Sequence, residues 1–372
     1  MTGPDTEARR AFQELIALLQ EIDERYLGDE WNANGYGDLA DGFRSVANTI
    51  EGAFELMFDL DPQRPFFRRI VTRTRKMLGD NPDAIYYTAP VRDDLVYRVT
   101  GNLAGAVYLS FTVELNTADG GYSTQTAGVL NQRDFDVDAN GNFALVFGGP
   151  ERERNWLALP PRAGEIIVRC YFEEPDPIAT DPNRGVPLYI EPEQPLPPPA
   201  PWSDASVAAG LRRVSAFVRN RTLEQPKTGE REQPSWVSTV PNMFPPPETP
   251  GDFAFAAFDA AYTMAPYLLG PDEALVITGR WPKCDFGNVS LWNRYLQTYD
   301  YAHRPVSRNR ANTTLEPDGS FRMVIAHDDP GVPNWIDTEG RGFGMVFWRF
   351  FLPEGEIETP QATVVKLADV RG

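Results

Sequence analysis

Cysteine and histidine are scarce in this chain: two of each, Cys170, Cys284, His303 and His327, among 372 residues. Two cysteines far apart in sequence exclude a disulfide framework and a structural zinc site, and are expected as reduced thiols in the core. Two histidines exclude a metal centre built on several imidazoles, so no metal and no cofactor is expected. No apolar run approaches the roughly 18 residues that cross a bilayer. The first residues, Met1 to Asp5, lack the basic start and apolar core of a secretory leader, which leaves a cytoplasmic protein as the expectation. Basic residues are outnumbered, 35 against 53 acidic, for a net charge of −18. That balance disfavours nucleic acid and anionic membrane as partners. Also missing are a Gly-x-Ser-x-Gly elbow, a phosphate-cradling glycine loop, a dinucleotide fingerprint and a His-Glu-x-x-His helix.

Proline and glycine are plentiful, at 34 and 30 residues, and point to many turns and a partly β architecture. The length predicts two or more folding units. Apolar residues at helical steps (Phe12, Leu15, Ile16, Leu19, Ile22) predict a first helix up to Gly28. A second stripe, Phe43, Val46, Ile50, Phe54 and Met57, predicts another from about Leu39 to Phe58. A third, shorter helix is expected from Pro65 to Leu78. Short aromatic and β-branched runs between turn residues follow from Ala84. The Pro-rich stretch 177–201 reads as a stiff linker. After it come a helix from Ser203 to about Thr222, an apolar helix around Phe253 to Ala265, and more strands. The domain reading is thus a helical segment 1–88, a β repeat 89–176, the linker, a helical segment 202–270 and a second β repeat 271–372.

The β segments are copies of one another. Arg98-Val-Thr-Gly101 matches Val276-Ile-Thr-Gly279, and Asn140-Gly-Asn-Phe143 matches Asp318-Gly-Ser-Phe321, both at a spacing of 178 (279 less 101, 319 less 141). Asn131 and Asn309 share that spacing. With small insertions, Asn155-Trp156 matches Asn334-Trp335, and Val168-Arg-Cys-Tyr171 matches Trp348-Arg-Phe-Phe351. The fold class expected is α+β, with two related antiparallel β-sandwich, jelly-roll-like units, each preceded by helices. Asp134 to Gly141 imitates a calcium loop, but the twelfth position from Asp136 is Phe147, where a glutamate is needed. A type I′ turn at Asn-Gly and Asp-Gly explains both copies instead. The paired Trp156 and Trp335 are expected in the sandwich cores, their asparagines bonding backbone. Arg169 and Arg349 are expected in surface ion pairs.

Trp292-Asn-Arg-Tyr295, the Asp318-Gly319 turn, Pro333-Asn-Trp335 and Trp348-Arg-Phe-Phe351 together resemble the bacterial domain-of-unknown-function family numbered 1214. Its members often stand beside a companion domain numbered 1254. The resemblance implies a jelly-roll sandwich for about 274–355, extended to 89–176 through the repeat, and no agreed reaction. The family pattern Asn-Trp-Leu-Pro reads Asn334-Trp-Ile-Asp337 here.

Chemistry is sought where the copies differ. Both histidines belong to the second unit, and His327 precedes Asp328 and Asp329, which suits an imidazole general acid or base. His303 opens a run with Arg304, Arg308 and Arg310, guanidinium groups that clamp an anion if they share a face, or else neutralise the protein's own carboxylates. Trp281, Trp292 and Tyr295 offer apolar walls, or else core packing. The first reading is a small-molecule enzyme, a hydrolase or transferase, acting on a substrate with an anionic group at this second-unit site. The alternative is a non-catalytic module binding carbohydrate or another small ligand on Trp281, Trp292 and Tyr295. A third reading is a homo-oligomeric assembly protein.

Overall fold

A computed structural model describes residues 4–33, 35–116, 125–227, 230, 232–251 and 257–370. Helix α1 (Glu7–Glu21) starts where the Thr6 hydroxyl accepts a hydrogen bond from the Arg9 amide at 3.2 Å. Helix α2 (Tyr36–Ala53) follows, and both helices end in a wider turn, at Ile22–Tyr26 and Phe54–Phe58. Helix α3 (Asp204–Asn220), far along the chain, opens with a capping box between Ser203 and Ser206. It lies parallel to α1. Asp204 accepts from the amides of Glu7 and Ala8, Arg212 meets Glu14, and Arg219 meets Glu21. The α1 contact runs along Ala11, Leu15 and Leu18, which leaves Phe12 and Ile16 exposed; Phe43 of α2 and Phe54 in the turn after it are exposed as well.

Seventeen strands follow among the described residues. The first unit holds β1 (Arg68–Arg69), β2 (Ala84–Pro90), β3 (Tyr97–Asn102), β4 (Tyr108–Leu115), β5 (Gln125–Asn131), β6 (Asn142–Phe147), β7 (Trp156–Leu157), β8 (Ala163–Tyr171) and β9 (Leu188–Pro192). The second holds β10 (Ala260–Leu268), β11 (Glu273–Gly279), β12 (Phe286–Trp292), β13 (Ser307–Asn309), β14 (Phe321–Ala326), β15 (Trp335–Asp337), β16 (Phe343–Phe351) and β17 (Gln361–Lys366). One sheet of the first unit runs β1-β2-β8-β4-β5 and the other β7-β6-β3-β9. The second unit repeats this as β10-β16-β12-β13 and β15-β14-β11-β17. Strand for strand, β2 to β9 therefore correspond to β10 to β17. The repeated motifs are cross-strand partners: Gly101 faces Phe143, and Gly279 faces Phe321. A Cβ on Gly101 would lie 2.5 Å from the Phe143 ring, so the pair is retained as a unit.

Each sandwich closes on its own core, one around Phe111, Phe147 and Val168, the other around Trp348, Phe321 and Phe350. The two units meet through the outer faces of β2-β8-β4-β5 and β10-β16-β12-β13, where Tyr108, Tyr171, Phe286 and Phe351 are buried together.

Several local expectations change. Residues 65–78 form no helix. Thr72 accepts from the amides of Thr74 and Arg75, and Arg75 donates to the carbonyls of Arg69 and Ile70, so side chains hold the backbone in bends. The apolar stretch ending at Ala265 is β10, paired over nine residues with β16; a run apolar on most sides fits a doubly buried strand as well as a helix. Residues 252–256 of that expected helix lie outside the described residues. The Pro-rich stretch contains β9, which closes the first sandwich against β3. Gly141 and Gly319 alone take positive φ in their turns, which makes these type I turns with a glycine bulge, not type I′. Trp156 and Trp335 lie half-buried outside the cores. A left-handed asparagine precedes each (φ 57° and 59°), and each indole donates to the end of the neighbouring strand, at Gly148 and Ala326. Arg169 and Arg349 are buried between layers, not on the surface.

Candidate functional site

The second-unit residues picked from sequence divide into two groups. Three of them reach β15 and the residue after it. The Arg308 guanidinium donates to the Trp335 carbonyl at 2.7 Å, Arg304 pairs with Asp337 at 2.7 Å, and His327 Nδ1 lies 2.6 Å from the Thr338 hydroxyl. The rest point elsewhere. His303 is exposed and bonded to Asp300. Asp328 and Asp329 are exposed, and Asp329 accepts from the Gly331 amide. Arg310 crosses to the first unit and holds Glu173 with two nitrogens, at 2.6 and 2.8 Å. Trp281 belongs to the second core, 5.3 Å from Phe321 and 5.5 Å from Trp348. Trp292 is buried and donates to the Asp80 carbonyl, while Tyr295 donates to the Asp38 carbonyl of α2. Each of the three arginines thus has a protein acceptor.

An open arginine sits in the first unit. Arg98 projects from the outer face of β3 into a groove of about 410 Å³, with no hydrogen-bond or ion-pair partner for its guanidinium among the described residues. Tyr189, 70% exposed, and Glu191 stand on β9 beside it, and Thr100 follows on its own strand. Phe66, 54% exposed, forms the far wall, its ring braced by the Arg68 guanidinium at 4.0 Å. A second hollow continues past Arg98 and Glu191 along Pro192 to Pro195. In the second unit the same place is filled: Val276 replaces Arg98, Gln361 replaces Tyr189, and Leu367 and Val370 pack over the face with Val276, Val324 and Trp335. The signal lay in the repeat motif itself, where Arg98 and Val276 are the one pair of unlike character. Tyr189 was hidden in the Pro-rich stretch.

Between the layers lies a second set of ionisable groups. Glu114 and Glu165 are directly opposed on β4 and β8, where the second unit has Trp292 and Met345. Thr126 donates to both oxygens of Glu114, and Thr88 to Glu165 at 2.7 Å. Burial pushes Glu165 up to about 7, from an ordinary value of 4.5. On the other side, Lys76 is buried with its ammonium donating to the carbonyls of Thr298 and Tyr299, and burial lowers its pKa. Asp80, four residues on, accepts from the amide and hydroxyl of Thr298. Gly79 between them takes φ +72°, and a Cβ there would lie 2.8 Å from the Trp292 ring. These groups dock the 76–83 segment onto the second unit. Among the described residues, no cluster of three or more His, Cys, Asp or Glu has the arrangement to hold a metal ion.

Residues 284–355 match a family described as a protein of unknown function, DUF1214. No curated protein matches the chain. Among solved structures, an uncharacterized protein from Burkholderia cenocepacia is similar over 97% of this chain and 98% of its own, with 26% identity and a TM-score of 0.81. The VPA0106 protein from Vibrio parahaemolyticus shares the fold at 12% identity and a TM-score of 0.51, over 87% of this chain and 98% of its own. The similarity to the first of these spans both β units and the helices.

Proposed function

We propose that the protein is a non-catalytic binding module, and that its ligand is a small molecule with a flat apolar face and an acidic group, an acidic saccharide being the class that fits best. The observation that carries this reading is Arg98: an arginine with no hydrogen-bond or ion-pair partner among the described residues, opposite Glu191 on β9 and open in a groove lined by two exposed aromatic rings. A guanidinium of that kind pairs with a carboxylate through two parallel hydrogen bonds. Tyr189 and Phe66 offer ring faces to the C–H side of a sugar, and Thr100 and Glu191 offer a hydroxyl and a carboxylate to its hydroxyl groups. Catalysis by His327 has less support, because Arg304, Arg308 and Arg310 are already bound to Asp337, Trp335 and Glu173.

The test is isothermal titration with uronic-acid oligosaccharides and their neutral counterparts. Acidic forms are expected to bind, and neutral forms more weakly. Arg98→Ala should weaken binding by roughly 10- to 100-fold, since a hydrogen bond to a charged group contributes about 1.5–3 kcal/mol. Tyr189→Ala should cost several-fold, in line with a ring contact of about 0.5–1.5 kcal/mol. Binding of none of these sugars, or affinity indifferent to Arg98, would remove the proposal.

A further inference from the structure

We infer that the face joining the two units is self-complementary, so that each unit is shaped to pair with a second copy of itself and the chain carries an internalised dimer. The contacts across the face are reciprocal, which is the mark of a twofold relation and not of a one-way, head-to-tail one. Asp83, just before β2, accepts from Asn288 on β12 at 2.8 Å and Asn309 on β13 at 3.0 Å. Asp259, just before β10, accepts from Tyr108 on β4 at 2.7 Å and Asn131 on β5 at 2.9 Å. Each unit thus reaches from the start of its first long strand to the third and last strands of the other's facing sheet. The rings obey the same rule. Tyr108 lies 4.3 Å from Phe351, and its counterpart Phe286 lies 4.8 Å from Tyr171. Tyr171 and Phe351 are each other's counterparts and meet at 4.4 Å, where the axis passes. At the rim, Arg310 just after β13 holds Glu173 just after β8, and Arg133 just after β5 approaches Glu354 just after β16.

Self-pairing keeps this chemistry. In a pair of first units, Asp83 would meet Asn131 in place of Asn309, and the central rings would be two copies of Tyr108 and Tyr171. In a pair of second units, Asp259 would meet Asn309, with two copies of Phe286 and Phe351 at the centre. Asp83 and Asp259 each keep an asparagine donor, whereas Lys76 and Asp80 give up Thr298 and Tyr299 in a pair of first units and Arg310 gives up Glu173 in a pair of second units, so both self-pairs are expected to be weaker than the mixed one.

The experiment starts from the full chain with a protease site placed at 232–234, between α3 and β10, so that α3 stays with α1 in the first half, cut after folding and examined by native mass spectrometry. An unchanged circular dichroism spectrum after cutting reports that both halves remain folded. The expected result is a dominant complex of the two halves, with complexes of each half with itself appearing after dilution and re-concentration. The same cut in an Asp83→Ala, Asp259→Ala chain should lower the fraction of all three pairs. A cut protein that gives only the mixed pair, or only separate halves, would overturn the inference.

Discussion

Replacing Trp348 by alanine should destabilise the protein by about 3–5 kcal/mol, the range for removing a large aromatic from a well-packed core. Trp348 is fully buried on β16. It stacks on Phe321 at 5.3 Å and 21° and on Phe350 at 6.2 Å and 20°, with Trp281 and Phe244 across its edges. Thr263 and Val289 flank it across the sheet, β-branched side chains held by their strands, so the space closes only in part. Its indole nitrogen has no hydrogen-bond partner among the described residues, so the loss is one of packing, with no acceptor left stranded. This separates two substitutions. Trp348→Phe gives up some volume but also removes a buried, unpaired N–H, and should cost less than about 1.5 kcal/mol. In the first unit the same place is taken by Val168, also fully buried, and Val168→Ala should cost roughly 2 kcal/mol for two methyl groups and a small void. Guanidinium unfolding followed by far-ultraviolet circular dichroism reads all three. A Trp348→Ala loss below about 1 kcal/mol would mean that the second core rearranges around the gap.

The doubled plan was legible because its markers are geometric. A β-branched residue followed by Thr-Gly, and Asn or Asp followed by Gly-x-Phe, recur at one spacing since the glycine that ends the first must lie under the phenylalanine of the second, across β3 and β6 and again across β11 and β14. Asn155 and Asn334 recur because a left-handed residue is needed before a strand that turns to run parallel to its neighbour. The layer between the units was not legible. Tyr108, Ser110, Thr112 and Glu114 alternate along β4 with Leu109, Phe111, Val113 and Leu115, which reads as one dry face and one wet one. In the fold every one of these residues is buried, because the wet-looking face meets other protein. Alternation reports which face is polar, and says nothing of what lies over it. Arg169 and Arg349 read as surface residues in the sequence for the same reason. Arg98 is masked for a different one: it stands inside a motif that matches the second copy, and only the mismatch with Val276 sets it apart.

The buried carboxylates give the molecule an unusual dependence on pH. Burial raises Glu165 to about 7 and Asp83 to about 6, from ordinary values of 4.5 and 3.8. An acid whose folded value is raised binds its proton more tightly in the native state than in the unfolded one. Its contribution is therefore fully present below the unfolded value and is lost as pH rises through the folded value. For Glu165 the window runs from about 4.5 to about 7, and for Asp83 from about 3.8 to about 6. With respect to these two groups the protein should be most stable below about pH 3.8, and should lose stability from there on the way to pH 8. The full shift of Glu165 corresponds to about 3 kcal/mol, and its partial exposure brings the expected share nearer 2 kcal/mol. Glu114 opposes it across the strands, while Arg169 and Arg221 act in the other direction, so the net sign rests on the loss of water around the carboxyl. Glu165→Gln keeps an acceptor for Thr88 and removes the ionisation. It should leave stability at pH 5 within about 0.5 kcal/mol of the parent and raise it at pH 8 by about 2 kcal/mol. Urea unfolding at the two pH values decides the matter. A Glu165→Gln chain weaker than the parent at pH 8 would show that the ionised carboxylate is stabilised where it lies, by Arg169 and Arg221 acting together against the cost of its burial.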